Sequence, residues 1–129
     1  MGRLDATTRA EYDALTSYVA RAALVRTAIA GEVSATVLDG DENVRAVGVM
    51  ADPWATVTVN TLTIGELVSF VVTDGGTPDA GWVLRFDGGG RSLEGSFGLS
   101  GAEFNWSLPT FETGQLGAIG AAQVVVAGR

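Results

Sequence analysis

The side chains able to do chemistry in this 129-residue chain are its fifteen carboxylates, because it contains no histidine, no cysteine and no lysine. Without histidine, the usual base at neutral pH and the commonest transition-metal ligand are missing. Without cysteine there is no thiolate nucleophile, no zinc–thiolate site and no disulfide. What remains is a carboxylate pair of the kind that hydrolyses glycosides, with Asp52, Glu66, Asp79, Glu94, Glu103 and Glu112 as candidates. Spacing places no two of these at the required separation, and acids on the wet side of strands are routine. The sequence therefore reads as non-enzymatic, with no catalytic, cofactor-binding or metal-binding residues expected.

Several stretches approach known motifs and fail on specific residues. Asp39-Gly40-Asp41-Glu42-Asn43 begins like a calcium loop, but Val44 stands at the sixth position and Met50 at the twelfth, so a hairpin turn is the better reading. Gly88-Gly89-Gly90 and the Gly114, Gly117, Gly120 spacing are not followed by the Lys-Ser or Lys-Thr of a phosphate loop and read as turn glycines. Glu94-Gly95-Ser96-Phe97-Gly98 lacks the glycine two places before the serine, and the chain has no histidine to activate the hydroxyl.

The aromatics offer a different chemistry. Trp54, Trp82, Trp106, Phe104 and Phe111 could form a sugar-stacking platform, which would make the chain a carbohydrate-binding β-sandwich module. Trp82 shares strand parity with Leu84 and Phe86, and Trp106 with Phe104 and Leu108, so both are expected to face inward. Trp54, in Ala51-Asp52-Pro53-Trp54, is the candidate for an exposed anchor, toward a glycan or another subunit.

These residues must be positioned by two unlike regions. Residues 1–31 hold four arginines against three acids, whereas the rest holds four arginines against twelve. So acidic a body repels nucleic acid and anionic membranes, and neither is an expected partner. No apolar run approaches the about 18 residues of a spanning helix, and no signal peptide is recognised, so the mature chain is expected to start near Met1.

From about Asp5 to Ala30 there is neither proline nor glycine, and Gly31 follows, which predicts one helix of about 23 residues and ~34 Å. Its start lies at Asp5 or at Thr8, the latter through the capping-box spacing of Thr8 and Glu11. Tyr12, Leu15, Val19, Ala22 and Ile29 form an apolar stripe broken by Arg26 and widened by Tyr18 and Val25. That stripe either packs along the body or pairs with copies of itself, in a trimer for preference. Beyond Gly31 the pattern alternates, and strands are expected at 33–38, 44–50, 56–62, 67–73, 82–86, 93–99, 103–108 and 123–127. The predicted fold is mainly β: an N-terminal α-helix over 1–31, then an antiparallel β-sandwich over 32–129, immunoglobulin-like or jelly-roll-like.

Gly65-Glu66-Leu67-Val68-Ser69-Phe70, the run from Thr77 to Phe86 that contains Pro78-Asp79-Ala80-Gly81-Trp82-Val83-Leu84, then Trp106 and the closing Val124-Val125-Val126 resemble short immunoglobulin-like β modules of tailed-bacteriophage virions. Such modules are similar to the N-terminal domain of baseplate upper proteins and to small proteins encoded near head and tail genes. The resemblance covers residues 60–128 and makes Gly65, Pro78, Gly81, Trp82, Leu84, Phe86 and Trp106 framework positions. It implies a virion structural protein, a capsid decoration, neck or fibre-attachment component, that docks to itself and to capsid or tail proteins without a cofactor.

Overall fold

The computed structural model describes residues 3–126, so the expected strand residue Ala127 lies outside the described residues. The chain is mainly β, with two helices at its N-terminal end. Its elements are β1 (Arg3–Leu4), α1 (Ala6–Ala14), α2 (Tyr18–Ala28), β2 (Ser34–Leu38), β3 (Val44–Met50), β4 (Ala55–Thr58), β5 (Thr61–Ile64), β6 (Leu67–Val72), β7 (Val83–Gly88), β8 (Arg91–Gly98), β9 (Phe104–Asn105) and β10 (Gln123–Val125). The large sheet runs β1-β8-β7-β2-β3-β6, all antiparallel, with the short β9 added parallel to β8. The small sheet runs β10-β5-β4, also antiparallel.

Alternation decides which side of each strand is dry. Along β7 the even residues Leu84 and Phe86 are buried and the odd ones half-buried. Register carries the pattern across the sheet: Phe86 pairs with Leu93 and Ala35, and Leu84 with Gly95 and Val37. The inner faces of both sheets share one hydrophobic core that extends from Leu4 to Val126. Aromatic rings link up through it, Trp82 to Phe111, Phe111 to Phe97 and Trp106, and Trp106 to Phe70, with centroids 5.2–5.6 Å apart.

The single long helix is corrected to a helical hairpin. Asp5 caps α1 through a hydrogen bond from the Thr8 N–H, so the start is at Asp5 and not at Thr8. The helix ends at Leu15, and Ser17 caps α2 by accepting from the Ala20 N–H at 3.3 Å. Arg21 fixes the corner, its Nε donating to the carbonyls of Tyr12 at 3.1 Å and Leu15 at 3.0 Å. The expected strand at 56–62 is likewise a hairpin, β4 to β5, turning at Val59 and Asn60. β1 was not expected; it pairs with Leu93 and Glu94 at the edge of the large sheet.

Candidate functional site

Of the six candidate carboxylates, the fold brings Glu94 and Glu103 to one groove of about 620 Å³, lined also by Arg3, Asp39, Arg85 and Ser96. Glu94 lies on the outer side of β8, directly across from Arg85 in register, yet its side chain is only 8% exposed. Arg85 covers it with Nε at 3.0 Å and Nη2 at 2.9 Å from one oxygen, while Arg3 engages the other oxygen from the edge strand. Both Glu94 oxygens are therefore claimed by guanidinium donors. Glu103 is tied down by its own loop: it accepts from the Ser96 N–H, and its N–H donates to Ser96 Oγ at 2.9 Å. Asp79 accepts from the Gly81 N–H, and Asp52, Glu66 and Glu112 lie exposed away from the groove.

Two further acids on this side were missed as candidates. Burial pushes the Asp87 carboxyl above its ordinary range, against the pull of Arg85 and with the help of Glu94. A raised carboxyl beside a paired one can signal acid–base chemistry. Here, however, they share a recess of about 210 Å³, smaller than the roughly 300 Å³ at which small-molecule sites begin. Asp5 is the opposite case: burial works to raise it, but hydrogen bonds from the N–H groups of Ser92 and Thr8 hold it below the usual range.

The loop that begins like a calcium site is a self-satisfied hairpin turn between β2 and β3. Asp39 Oδ1 accepts from the N–H groups of Asp41 and Asn43, and Oδ2 accepts from Arg45 Nε, all at 2.9 Å. Hydrogen bonds, from the Asn43 N–H above all and then from Arg45, the Asp41 N–H and the Asn43 side chain, lower its carboxyl to about 2, although burial opposes the shift. Among the described residues no cluster of three or more acidic side chains is placed to hold a metal ion.

The aromatic candidates are in the core. Trp54 is corrected from exposed anchor to core residue: it is 3% exposed, its ring 5.6 Å from that of Phe86, and its Nε1 donates to the Arg26 carbonyl at 3.2 Å. Its apolar bulk closes the gap between α2 and β7, and the helix end satisfies its one polar atom. Trp82 and Trp106 are also buried, as their parity predicts, so Tyr18 is the one exposed aromatic side chain among the described residues. The helix stripe is corrected in the same way. Tyr12, Ala22 and Ile29 are buried in the chain's own core and Leu15 is half-buried, which leaves Val19 as the stripe's exposed member. The turn at residues 15–17 folds the stripe back on itself instead of leaving it as a long seam.

The surface feature that sequence reasoning missed is the small sheet. Residues 53–65 and 113–126 contain no charged side chain, in a chain of net charge −7. Their strands come together as β4, β5 and β10 and present Thr56, Thr58, Thr63, Gln123 and Val125 outward. Val59 at the hairpin tip is 59% exposed and Val125 is 60% exposed. Val59 also holds φ at +57°, a backbone region that β-branched residues avoid. The signal in the sequence was an absence, two long stretches without a single Asp, Glu or Arg.

Comparisons with protein-family models, with curated proteins and with solved structures find no match to this chain.

Proposed function

We propose that this chain is a non-enzymatic structural protein of a tailed-phage virion, acting by protein–protein docking as a capsid decoration, neck or fibre-attachment component. The supporting observation is how its surface is divided. Among the described residues its ion pairs, Glu94 with Arg3 and Arg85, Arg45 with Asp39 and Asp74, Arg91 with Glu11, and Arg9 with Asp13, are closed within the chain. Of the large apolar side chains that stand exposed, Val59, Leu116 and Val125 lie on the two uncharged stretches, and Tyr18, Val19, Val44 and Val47 lie on α2 and β3. A surface so arranged offers partners shape and apolar area rather than reactive groups. Its partners in this reading are copies of itself and capsid or tail proteins.

The test is to purify tailed-phage particles whose genome encodes the chain and to quantify it by mass spectrometry against the major capsid protein. A fixed copy number per particle that survives high-salt washing is the expected result. Absence from intact particles overturns the virion assignment.

A further inference from the structure

We infer that residues 3–9, β1 with the first turn of α1, form a latch over the edge of β8, which the Asp5 carboxylate holds shut and which acid opens while both sheets stay folded. The pairing of Arg3 with Glu94 and Leu4 with Leu93 brings Asp5 opposite Ser92. The Asp5 N–H donates to the Ser92 carbonyl at 3.2 Å, as a ladder requires. Its own carbonyl cannot return that bond, because it is turned into the helix and accepts from the Arg9 N–H at 2.8 Å. The side chain takes the vacant place: Asp5 Oδ1 accepts from the Ser92 N–H at 2.8 Å. Its other oxygen caps α1, accepting from the Thr8 N–H at 3.0 Å. One carboxylate therefore completes the strand pairing and starts the helix.

Apolar packing adds little to this hold. β1 is two residues long, and of residues 3–9 only Leu4 and Thr8 are buried. The remaining ties are polar, Arg3 to Glu94 and Arg91 Nη1 to Thr8 Oγ1 at 3.0 Å. The later part of α1 is fastened differently, through Tyr12 under the guanidinium of Arg21, a contact that contains no carboxylate. Segments with few buried apolar contacts open at lower free energy than the core they cover. Opening here frees the edge of β8 from Ser92 to Glu94, which the closed latch keeps paired.

The charged groups around Asp5 come from every element packed on it. The recess of about 210 Å³ beside it is lined by Arg3 of β1, Arg85 and Asp87 of β7, and Glu94 of β8. Arg91 of β8 stands nearby and pairs with Glu11 of α1 at 2.8 Å. Burial alone raises the Asp5 carboxyl, but the hydrogen bonds from Ser92 and Thr8 and the charge of Arg91 outweigh it and hold the group below 3.8. The closed latch thus favours the charged form. That contribution is complete above pH 3.8 and is lost as the pH falls through the lower value of the folded chain. Asp87 leans the other way, raised by burial, so it takes up its proton before Asp5 does.

The experiment is amide hydrogen exchange of the full chain, read as protection factors from near-neutral pH to below 3.8. The Asp5, Thr8 and Ser92 amides report on the latch. The Met50 amide, bonded to the Val33 carbonyl, and the Phe97 amide, bonded to the Trp82 carbonyl, report on the large sheet. Expected is a fall of about tenfold to a hundredfold at the three latch amides, ahead of any fall at Met50 and Phe97. Asp5→Ala should show the same loss already at neutral pH, with Met50 and Phe97 protected as in wild type. Asp5→Asn, which keeps a capping side chain without the titrating group, should lack the acid-dependent fall. Should Asp5→Ala fail to fold, wild type and Asp5→Asn decide. Latch amides that stay protected in acid, or that lose protection only together with Met50 and Phe97, overturn the inference. So does an Asp5→Asn chain that keeps the wild-type acid profile, because another group then opens the segment.

Discussion

The guanidinium of Arg21 stacks over the Tyr12 ring at 4.4 Å while its Nε donates to the Tyr12 carbonyl at 3.1 Å. One residue of α2 thus holds both the side chain and the backbone end of α1, and at 5% exposure it does so inside the core. The last carbonyls of a helix need partners, and here a neighbouring helix supplies the donor. Arg21→Ala should therefore cost about 2 kcal/mol, the typical value of hydrogen bonds made by a charged group. Arg21→Lys should recover little of it, lacking the planar donor that reaches two carbonyls at once. Urea denaturation measures both; an unchanged midpoint for Arg21→Ala would show that the corner does not depend on this residue.

Val59 predicts the opposite sign. Left-handed backbone costs an L-residue about 1–2 kcal/mol, and the side chain at this tip is mostly exposed, so little packing offsets the strain. Asparagine tolerates that conformation. Val59→Asn should raise stability by about 1 kcal/mol, read as a higher thermal midpoint. A lower midpoint would mean that the valine methyls pack more tightly than their exposure indicates.

Trp54 separates core from anchor. Trp54→Ala should cost about 3–5 kcal/mol, as large-to-small changes in cores do. Trp54→Phe should cost less, losing the bond to the Arg26 carbonyl while keeping most of the contact with Phe86. With all three tryptophans buried, emission from the folded protein should be blue-shifted and barely quenched by iodide. Efficient quenching of the folded chain, abolished in Trp54→Phe, would return Trp54 to the surface.

Particular residues show why some of this was legible in the sequence and some was not. β3 is found at 44–50 as expected, and Trp82, Leu84 and Phe86 all face inward, because alternation along a strand is a local property that burial on one face reinforces. The helix break at residues 15–17 left only a weak local mark, the N-cap type residues Thr16 and Ser17 inside an apolar stripe that runs on past them, and the corner is held by Arg21, which only the fold brings back to Tyr12. The hairpin at Val59 and Asn60 was hidden because valine is the wrong residue for positive φ, so the turn ran through as strand. Trp54 looked exposed because it follows a proline in a loop, and nothing local says that α2 lies over it. Among the carboxylates, the pairing of Glu94 with Arg85 depends on strand register, which the sequence does not state; the charge-free sheet was there to be read, in stretches 53–65 and 113–126, but as a lack of charge rather than a motif.

Two acids, Asp39 in the turn after β2 and Asp87 on β7, give a final prediction, because they lean in opposite directions. Asp39 falls from the ordinary 3.8 to about 2, so its charged form is favoured by folding. That contribution is complete above pH 3.8 and is lost as the pH falls toward 2. Asp39→Asn should lower the thermal midpoint near neutral pH, and the gap to wild type should close over that acid window. Asp87 is raised above 3.8 by burial, so folding favours its protonated form and the charge costs stability once the pH exceeds the folded value. Asp87→Asn should therefore raise the midpoint near neutral pH and converge on wild type below 3.8, where the carboxyl is protonated in both folded and unfolded chains. Calorimetric scans of the three proteins across this range decide it. An Asp87→Asn midpoint below wild type at neutral pH would show that Arg85 outweighs burial at that carboxyl, and an Asp39→Asn deficit that persists undiminished at pH 2 would show that its loop is held by shape rather than by charge.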